Sequence, residues 1–175
     1  MWRVEACAPH EWEWKGFAEP RYRFDPQSGA FRTRYAGGDL LGAFRERYRS
    51  TGLVLPADHA GHFLTEMTVR RPMRVLDLRT ERNLDALDVD DQISTGQHDQ
   101  VWATCQRLVD SARHWWPDLA AIVYRSRTTP QRSVNYAVFA RYHFRMRAWT
   151  LAERADVLTE LVLHHGFTVD WPLEG

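Results

Sequence analysis

Two histidines with metal-ligand spacing are the first residues in the chain that suggest chemistry. His59 and His62 stand three positions apart, and neutral imidazole is a common ligand of transition metals. A zinc site needs three or four protein ligands, and no obvious third ligand accompanies this pair. The chain also lacks the P-loop, dinucleotide-binding, zinc-protease and nucleophile-elbow motifs. The sequence therefore predicts no metal site and contains no standard cofactor fingerprint.

A run of basic residues at alternating positions is the second candidate. From position 141 to 147 every second residue is basic, and the residues between them are aromatic or apolar. Successive side chains of a strand point to opposite faces, so the pattern predicts one basic and one buried face. The basic residues are Arg141, His143, Arg145 and Arg147, and the others are Tyr142, Phe144 and Met146. We interpret the basic face as solvated, with contact to a phosphate or an acidic partner as the alternative.

Three residues in the first third of the chain stand out as a set. Arg23 lies within Tyr-Arg-Phe-Asp-Pro, Tyr35 precedes Ala36, and Glu46 follows Phe44 by two positions. Taken singly, Arg23 is typical of an exposed strand residue and Tyr35 of a core residue. At about 100° per residue, Glu46 lies opposite the apolar stripe of its predicted helix, which is typical of a surface carboxylate.

In their order and spacing these residues resemble the RES-domain family, which is named for its Arg, Glu and Ser. Three later segments support the resemblance: Val75-Leu76-Asp77-Leu78-Arg79-Thr80, Ile93-Ser94-Thr95-Gly96 and Ile122-Val123-Tyr124-Arg125-Ser126-Arg127. The resemblance runs from about Tyr22 to Arg141. Arg47 and Ala121 depart from the family pattern, where small residues and Gly are usual. The family comprises the toxins of bacterial RES–Xre toxin–antitoxin pairs.

The resemblance implies a compact α/β fold similar to that of ADP-ribosyltransferases, and a reaction with NAD as substrate. Cleavage of the nicotinamide–ribose bond passes through an oxocarbenium-like cation, which a carboxylate stabilises. The resemblance assigns this catalytic role to Glu46. It further implies that Arg23 pairs with the pyrophosphate and that Tyr35 stacks on nicotinamide, both as catalytic and substrate-binding residues.

Two residues of the last matched segment complete the implied site. Ser126 is expected to hydrogen-bond the substrate or Glu46. Arg127, with Arg125 as the alternative, is expected to contact a phosphate. This set of residues supports the reaction without a metal.

The type of activity stays open at this point. The resemblance implies a toxin that consumes NAD by hydrolysis or phosphorolysis and is neutralised by an Xre-type antitoxin protein. One alternative is a protein ADP-ribosyltransferase. A second is a non-enzymatic module that binds an acidic protein or nucleic acid through the Arg141–Arg147 face and exposed N-terminal tryptophans. A homodimer is also compatible with the family.

The predicted elements make a mixed α/β, or α+β, single domain. Strands are expected over 22–25, 31–36, 63–69, 73–78, 120–124 and 167–171, with a long strand or hairpin arm over 133–147. Helices are expected after the N-caps Asp39 and Thr80, over 101–116, and after a capping box at Thr150 and Glu153 that Gly166 closes. We expect an irregular, Trp-rich lead-in over 1–20, a RES-like domain over 21–141, and a C-terminal extension of helix and strand over 142–175, packed on the same domain.

Composition limits the function classes. The 175 residues carry no formal net charge and the pI is near 7.1, which argues against broad electrostatic capture of nucleic acid or anionic lipid. No apolar run reaches the roughly 18 residues of a transmembrane helix. Cys7 and Cys105 do not make a disulfide framework, so we expect a reduced, cytoplasmic protein.

Overall fold

Among the described residues, a seven-stranded mixed sheet is the frame of the protein. The computed structural model describes residues 1–128 and 133–173. Its strands are β1 (Trp2–Glu5), β2 (Arg34–Gly37), β3 (Val54–Leu55), β4 (Phe63–Val69), β5 (Arg74–Asp77), β6 (Leu119–Arg125), β7 (Val134–Val138), β8 (Phe144–Thr150) and β9 (Thr168–Val169). The large sheet has the order β5-β6-β7-β2-β1-β4-β8, and β3 pairs with β9 separately. Only β5 and β6 run parallel within the described part of the large sheet.

Five α-helices connect these strands in the part of the chain that the structure describes. They are α1 (Leu40–Tyr48), α2 (Glu81–Ala86), α3 (Gln92–Thr95), α4 (Asp99–Trp115) and α5 (Ala155–His165). The predicted helix ends at Asp39 and Gly166 are confirmed: the Asp39 side chain accepts a hydrogen bond from the Gly42 N–H, and Gly166 has φ 73°. The predicted capping box is also confirmed, because Thr150 and Glu153 exchange backbone-to-side-chain hydrogen bonds of 2.7 and 3.3 Å.

The helices form two groups on one face of the sheet. Strand register places Val4 and Ile122 on the same face, because residues paired across strands point the same way. Over β1 and β4, α1 and α5 bury a cluster that includes Phe44 and Leu158. Over β6 and β7, α4 buries a second cluster that includes Val109. The middle of the sheet lies between the two clusters.

The opposite face of the sheet is covered by the N-terminal segment, which corrects the expected lead-in. Trp2–Glu5 is not irregular: it forms β1, between β2 and β4. Farther along the segment, Trp12 is only 4% exposed and packs against Ala36 and Val138. Trp12, one of the N-terminal tryptophans that the binding-module alternative treated as exposed, is therefore a core residue. A strand of four residues is too short for its alternation to be recognised in the sequence. The position of β1 is set by its pairing with β2 and β4.

Two other expectations about strands are wrong. Residues 22–25 form a turn, because the buried Asp25 carboxylate accepts the N–H groups of Arg21 and Tyr22 at 3.0 and 2.9 Å. Such local side-chain bonds compete with strand pairing. The long arm predicted over 133–147 is instead two strands, β7 and β8, which lie at different positions in the sheet and do not pair with each other.

The alternating basic face is only partly present. A 3-10 turn at Arg141–His143 precedes β8 and shifts the alternation, so His143 is buried and Tyr142 is 62% exposed. Within β8 the pattern holds, with Arg145 and Arg147 exposed. Periodicity in the sequence cannot detect such a change of phase, because a 3-10 turn adds residues without following the strand period.

Candidate functional site

A cleft of about 380 Å³ opens over the middle of the sheet, between the two helix groups. Its floor is formed by residues of β2, β6 and β7, including Tyr35, Tyr124 and Asn135. Glu46 of α1 lines one wall, and Arg23 lies among the residues that line the cleft. Volumes of about 300 to 1,000 Å³ are typical of small-molecule sites. The cleft thus has room for a substrate beside a carboxylate and several basic groups.

Hydroxyl groups from another part of the chain hold the Glu46 carboxylate. Ser126 Oγ donates to Glu46 Oε1 at 3.0 Å, and Thr128 Oγ1 donates to the same oxygen at 3.3 Å. Ser126 is completely buried, and its Oγ accepts the Thr128 N–H at 3.2 Å and lies 2.9 Å from the Thr128 hydroxyl oxygen. Within residues 1–128 and 133–173, Oε2 of Glu46 has no hydrogen-bond donor. One carboxylate oxygen is therefore anchored and the other is available to a ligand.

Arg23 lies at the cleft, but its guanidinium donates hydrogen bonds to the protein's own backbone. It is 7% exposed, and its Nη1 donates to the carbonyl oxygens of Gln92 at 3.2 Å and Ile93 at 2.7 Å. Its Nη2 donates to the Gly96 carbonyl oxygen. These three acceptors belong to α3 and its C-terminal end. The guanidinium thus stabilises this wall of the cleft, and most of its donors are occupied before any pyrophosphate binds.

Tyr35 also makes structural hydrogen bonds at the cleft. Its hydroxyl donates to Asp25 Oδ1 at 3.1 Å and accepts from the Phe24 N–H at 2.8 Å. Burial, and next the nearby Asp25 charge, hold the pKa of Tyr35 well above its ordinary value, so the phenol stays protonated. The Tyr22 ring meets the Tyr35 ring edge-on at 5.7 Å between centroids. The two rings form an aromatic corner of the cleft.

The structure separates the two arginines that flank Ser126. Arg127 lines the cleft, whereas the Arg125 guanidinium donates to the Arg79 carbonyl oxygen at 2.8 Å and faces Asp91 at 3.4 Å. Burial, and then repulsion by Arg49 and Arg23, lower the pKa of Arg127. Among the described residues Arg127 has no hydrogen bond or ion pair. A partly buried cation beside other cations favours an anionic ligand.

Three further residues of the site were not assigned by sequence analysis. Ser94 Oγ and Asn135 Oδ1 are buried at the cleft and have no hydrogen-bond partner within the described part of the chain. Arg49 lines the cleft three residues after Glu46, a spacing that puts both side chains on one side of a helix. That spacing was a usable signal for Arg49. The other two depend on which residues of α3 and β7 face the cleft, and that is set by tertiary packing.

The histidine pair packs beside Tyr48 of α1. His59 and His62 stack with ring centroids 3.8 Å apart, and His59 Nδ1 lies 3.2 Å from the Tyr48 hydroxyl. Across the part of the chain that the structure describes, no group of three His, Cys, Asp or Glu side chains is placed to hold a metal ion. No helix there is long and apolar enough to span a bilayer.

Comparisons with known proteins agree with the fold. The description "RES domain" belongs to the family model that matches residues 1–158. In structure, the chain is similar to one in the crystal structure of the M. tuberculosis MbcT–MbcA toxin–antitoxin complex. That similarity has a TM-score of 0.58 at 17% sequence identity and covers 90% of this chain and 87% of the other. No curated protein sequence matches. The family match spans nearly the whole chain and includes Arg23, Tyr35, Glu46 and Ser126, so the chain belongs to the RES domain family.

Proposed function

We propose that this protein is the toxin of a toxin–antitoxin pair and acts by cleaving the nicotinamide–ribose bond of NAD⁺. The anchored Glu46 carboxylate carries the proposal: it lines a cleft of substrate size and keeps one oxygen without a donor in the described chain. A carboxylate so placed is the group that an oxocarbenium-like transition state requires.

The reaction needs no covalent enzyme intermediate. The bond between nicotinamide nitrogen and ribose carbon breaks, and both electrons leave with nicotinamide, which departs neutral. The cationic ribosyl carbon is stabilised by the Glu46 charge more strongly in the transition state than in the ground state, and this difference lowers the barrier. Water or inorganic phosphate then attacks that carbon and loses a proton, giving ADP-ribose or its 1-phosphate.

We assign the substrate's diphosphate to other residues than Arg23, which the family resemblance had implied. Because α3 carbonyls occupy Arg23, we assign the diphosphate to Arg127 together with Arg49, whose charges repel each other in the absence of an anion. An arginine fork binds phosphate oxygens in pairs. The aromatic corner of Tyr22 and Tyr35 offers a surface for nicotinamide. Ser94 and Asn135 present the unpaired polar atoms that would contact ribose or amide groups.

The partner in this proposal is an antitoxin protein. The similar chain comes from the structure of a toxin–antitoxin complex, and a partner of that kind would neutralise this chain by covering the cleft. We propose an Xre-type antitoxin, as the family resemblance implies, and a cytoplasmic location where NAD⁺ is present. Covering the cleft would protect the host cell without altering Glu46.

The decisive experiment measures free nicotinamide after incubation of the purified protein with NAD⁺, with and without inorganic phosphate. We expect release by the wild type and a loss of at least about 100-fold for Glu46→Gln, which removes the charge and keeps the shape. The matched control is Glu160→Gln, an exposed carboxylate on α5, and it should keep wild-type release. Arg127→Gln should raise KM for NAD⁺ more than it lowers kcat.

Three outcomes would contradict the proposal or redirect it. Wild-type protein that releases no nicotinamide, or equal release by Glu46→Gln, would remove the enzymatic claim. Labelled ADP-ribose found on a protein in place of the free product would assign the chain to the protein ADP-ribosyltransferases.

A further inference from the structure

The open edge of the large sheet carries a concentration of arginines that form no ion pairs within the described residues. Five of them lie at the end formed by β8, the turn before it and the residues after β4: Arg70, Arg71, Arg141, Arg145 and Arg147. All five are exposed, and none forms an ion pair within the described residues. By contrast, Arg74 and Arg154 are paired with Asp118 and Asp156. Because the whole chain has no net charge, this positive patch is local.

The backbone of β8 is available for pairing on the same side. β8 is the last strand of the sheet, with β4 as its one neighbour in the described chain. The N–H of Arg70 donates to the His143 carbonyl at 2.8 Å, so odd-numbered residues of β8 turn their backbone groups toward β4. The even-numbered residues turn theirs to the open edge. They are Phe144, Met146, Ala148 and Thr150, of which Thr150 already donates its N–H to Glu153.

The side chains of β8 give this edge two different faces. Arg145 and Arg147 point to the helix-bearing face, which they share with Glu66 and Thr68 of β4. Phe144 and Met146 belong to the opposite face and pack with the cluster around Met67. A strand added beside β8 would therefore meet arginines with every second side chain and apolar groups with the others.

We propose that β8 binds an extended segment of a partner protein by strand addition, and that acidic residues alternate with apolar ones in this segment. Charge decides against a second copy of this chain, since antiparallel self-pairing around Met146 sets Arg145 opposite Arg147. The row of backbone donors and acceptors favours a peptide over a nucleic acid, because a phosphodiester chain supplies no matching N–H groups. The inference does not depend on the proposed NAD⁺ chemistry.

A designed peptide tests the inference directly. The probe is a fluorescent eight-residue peptide in which Glu and Val alternate, and its binding to the full-length protein is followed by anisotropy. A peptide of equal composition with four Glu followed by four Val controls for charge alone. We expect the alternating peptide to bind at least about tenfold more tightly and to slow amide exchange at Met146 and Ala148.

Variants of β8 separate strand addition from simple charge attraction. Met146→Pro removes an outward N–H and leaves the hydrogen bonds to β4 in place, so affinity should fall about tenfold or more. Reversing both charges with Arg145→Glu and Arg147→Glu should abolish binding, whereas Arg82→Glu on α2 should change it less than about twofold. Melting curves check that each variant is folded, and the charge reversal alone is decisive if Met146→Pro unfolds.

Several results would overturn the inference. They are equal binding of the two peptides, wild-type affinity in the charge-reversed variant, and tighter binding of an eight-nucleotide single-stranded DNA than of the alternating peptide. Concentration-dependent dimerisation that Met146→Pro abolishes would assign the edge to a second copy instead.

Discussion

At the scale of single residues, the main feature of the site is that neutral hydroxyls orient its carboxylate. Ser126 and Thr128 donate to one oxygen of Glu46, and both come from the chain after β6. A neutral donor fixes the position of the carboxylate without cancelling its charge, whereas an arginine pair would reduce the field at the ribosyl carbon. Arg127 and Arg49 lie at other positions of the cleft, where the proposed substrate would place its diphosphate.

Ser126→Ala tests this orienting role. The change removes the shorter hydrogen bond to Glu46 and leaves its charge, so kcat for nicotinamide release should fall by about 10- to 100-fold with little change in KM. Steady-state kinetics measure this effect. The control is Ser28→Ala, because the Ser28 hydroxyl hydrogen-bonds Asp110 and does not contact Glu46. A rise in KM at constant kcat would instead place Ser126 in substrate binding.

Asp25 makes stability depend on pH. Burial raises the pKa of this carboxyl, and the N–H groups of Arg21 and Tyr22 and the Tyr35 hydroxyl offset only part of that effect. Since the folded state holds the proton more tightly than the unfolded state, the contribution of Asp25 is greatest below its unfolded pKa. It is lost as pH rises through the folded pKa.

We therefore expect the wild type to lose stability relative to Asp25→Asn as pH rises from about 3.5 toward 7. Urea unfolding of both proteins over this range measures the difference. A gap that stays constant, or that changes in favour of the wild type as pH rises, contradicts the expectation.

At the scale of elements, the close approach of α1 to β2 determines where Glu46 lies. A Cβ on Gly37 would come within 2.6 Å of the Ala43 N and 2.9 Å of the Asp39 carbonyl oxygen. Both are backbone atoms, which cannot move aside without shifting the helix. Gly37 thus lets the first turns of α1 rest on β2.

Gly37→Ala should consequently destabilise the protein by about 1–3 kcal/mol and lower nicotinamide release as well, because α1 must move away from the sheet. Chemical denaturation and the nicotinamide assay measure the two effects. Gly61→Ala is the matched control, since no atom lies within 4 Å of its added Cβ. Equal stability of the two variants would show that α1 has room to adjust.

At the scale of the whole molecule, the N-terminus belongs to the middle of the sheet. β1 pairs with β2 and β4, and the amino group of Met1 donates to the Met67 carbonyl oxygen at 3.2 Å. Val4 also joins the core under α1 and α5. Removing this strand exposes two edges at once and opens the floor beside the cleft.

Deletion of residues 1–5 should therefore abolish cooperative folding. Thermal unfolding followed by near-ultraviolet circular dichroism is the measurement, with the intact chain as reference. A truncated chain that still unfolds cooperatively near the wild-type temperature would show that the segment is an appendage.

Local patterns and motif spacing were enough to predict several helix ends, the strands β4 and β6, and the family. Asp39, Thr150 with Glu153, and Gly166 act through bonds within a few residues, so local pattern predicts them. Spacing of matched segments indicated Arg23, Tyr35, Glu46 and Ser126 as a set.

The contacts that these residues make depend on packing between distant segments. Helix periodicity placed Glu46 opposite the apolar stripe of α1. In the structure, that side of α1 lines the cleft between the two helix groups. Arg23 bonds carbonyls about seventy residues away, and β1 lies in the sheet through pairing with residues more than thirty positions distant. Contacts between distant segments leave no periodic signal in the sequence. Each segment supplies only one side of the contact, and neither side has a recognisable pattern by itself.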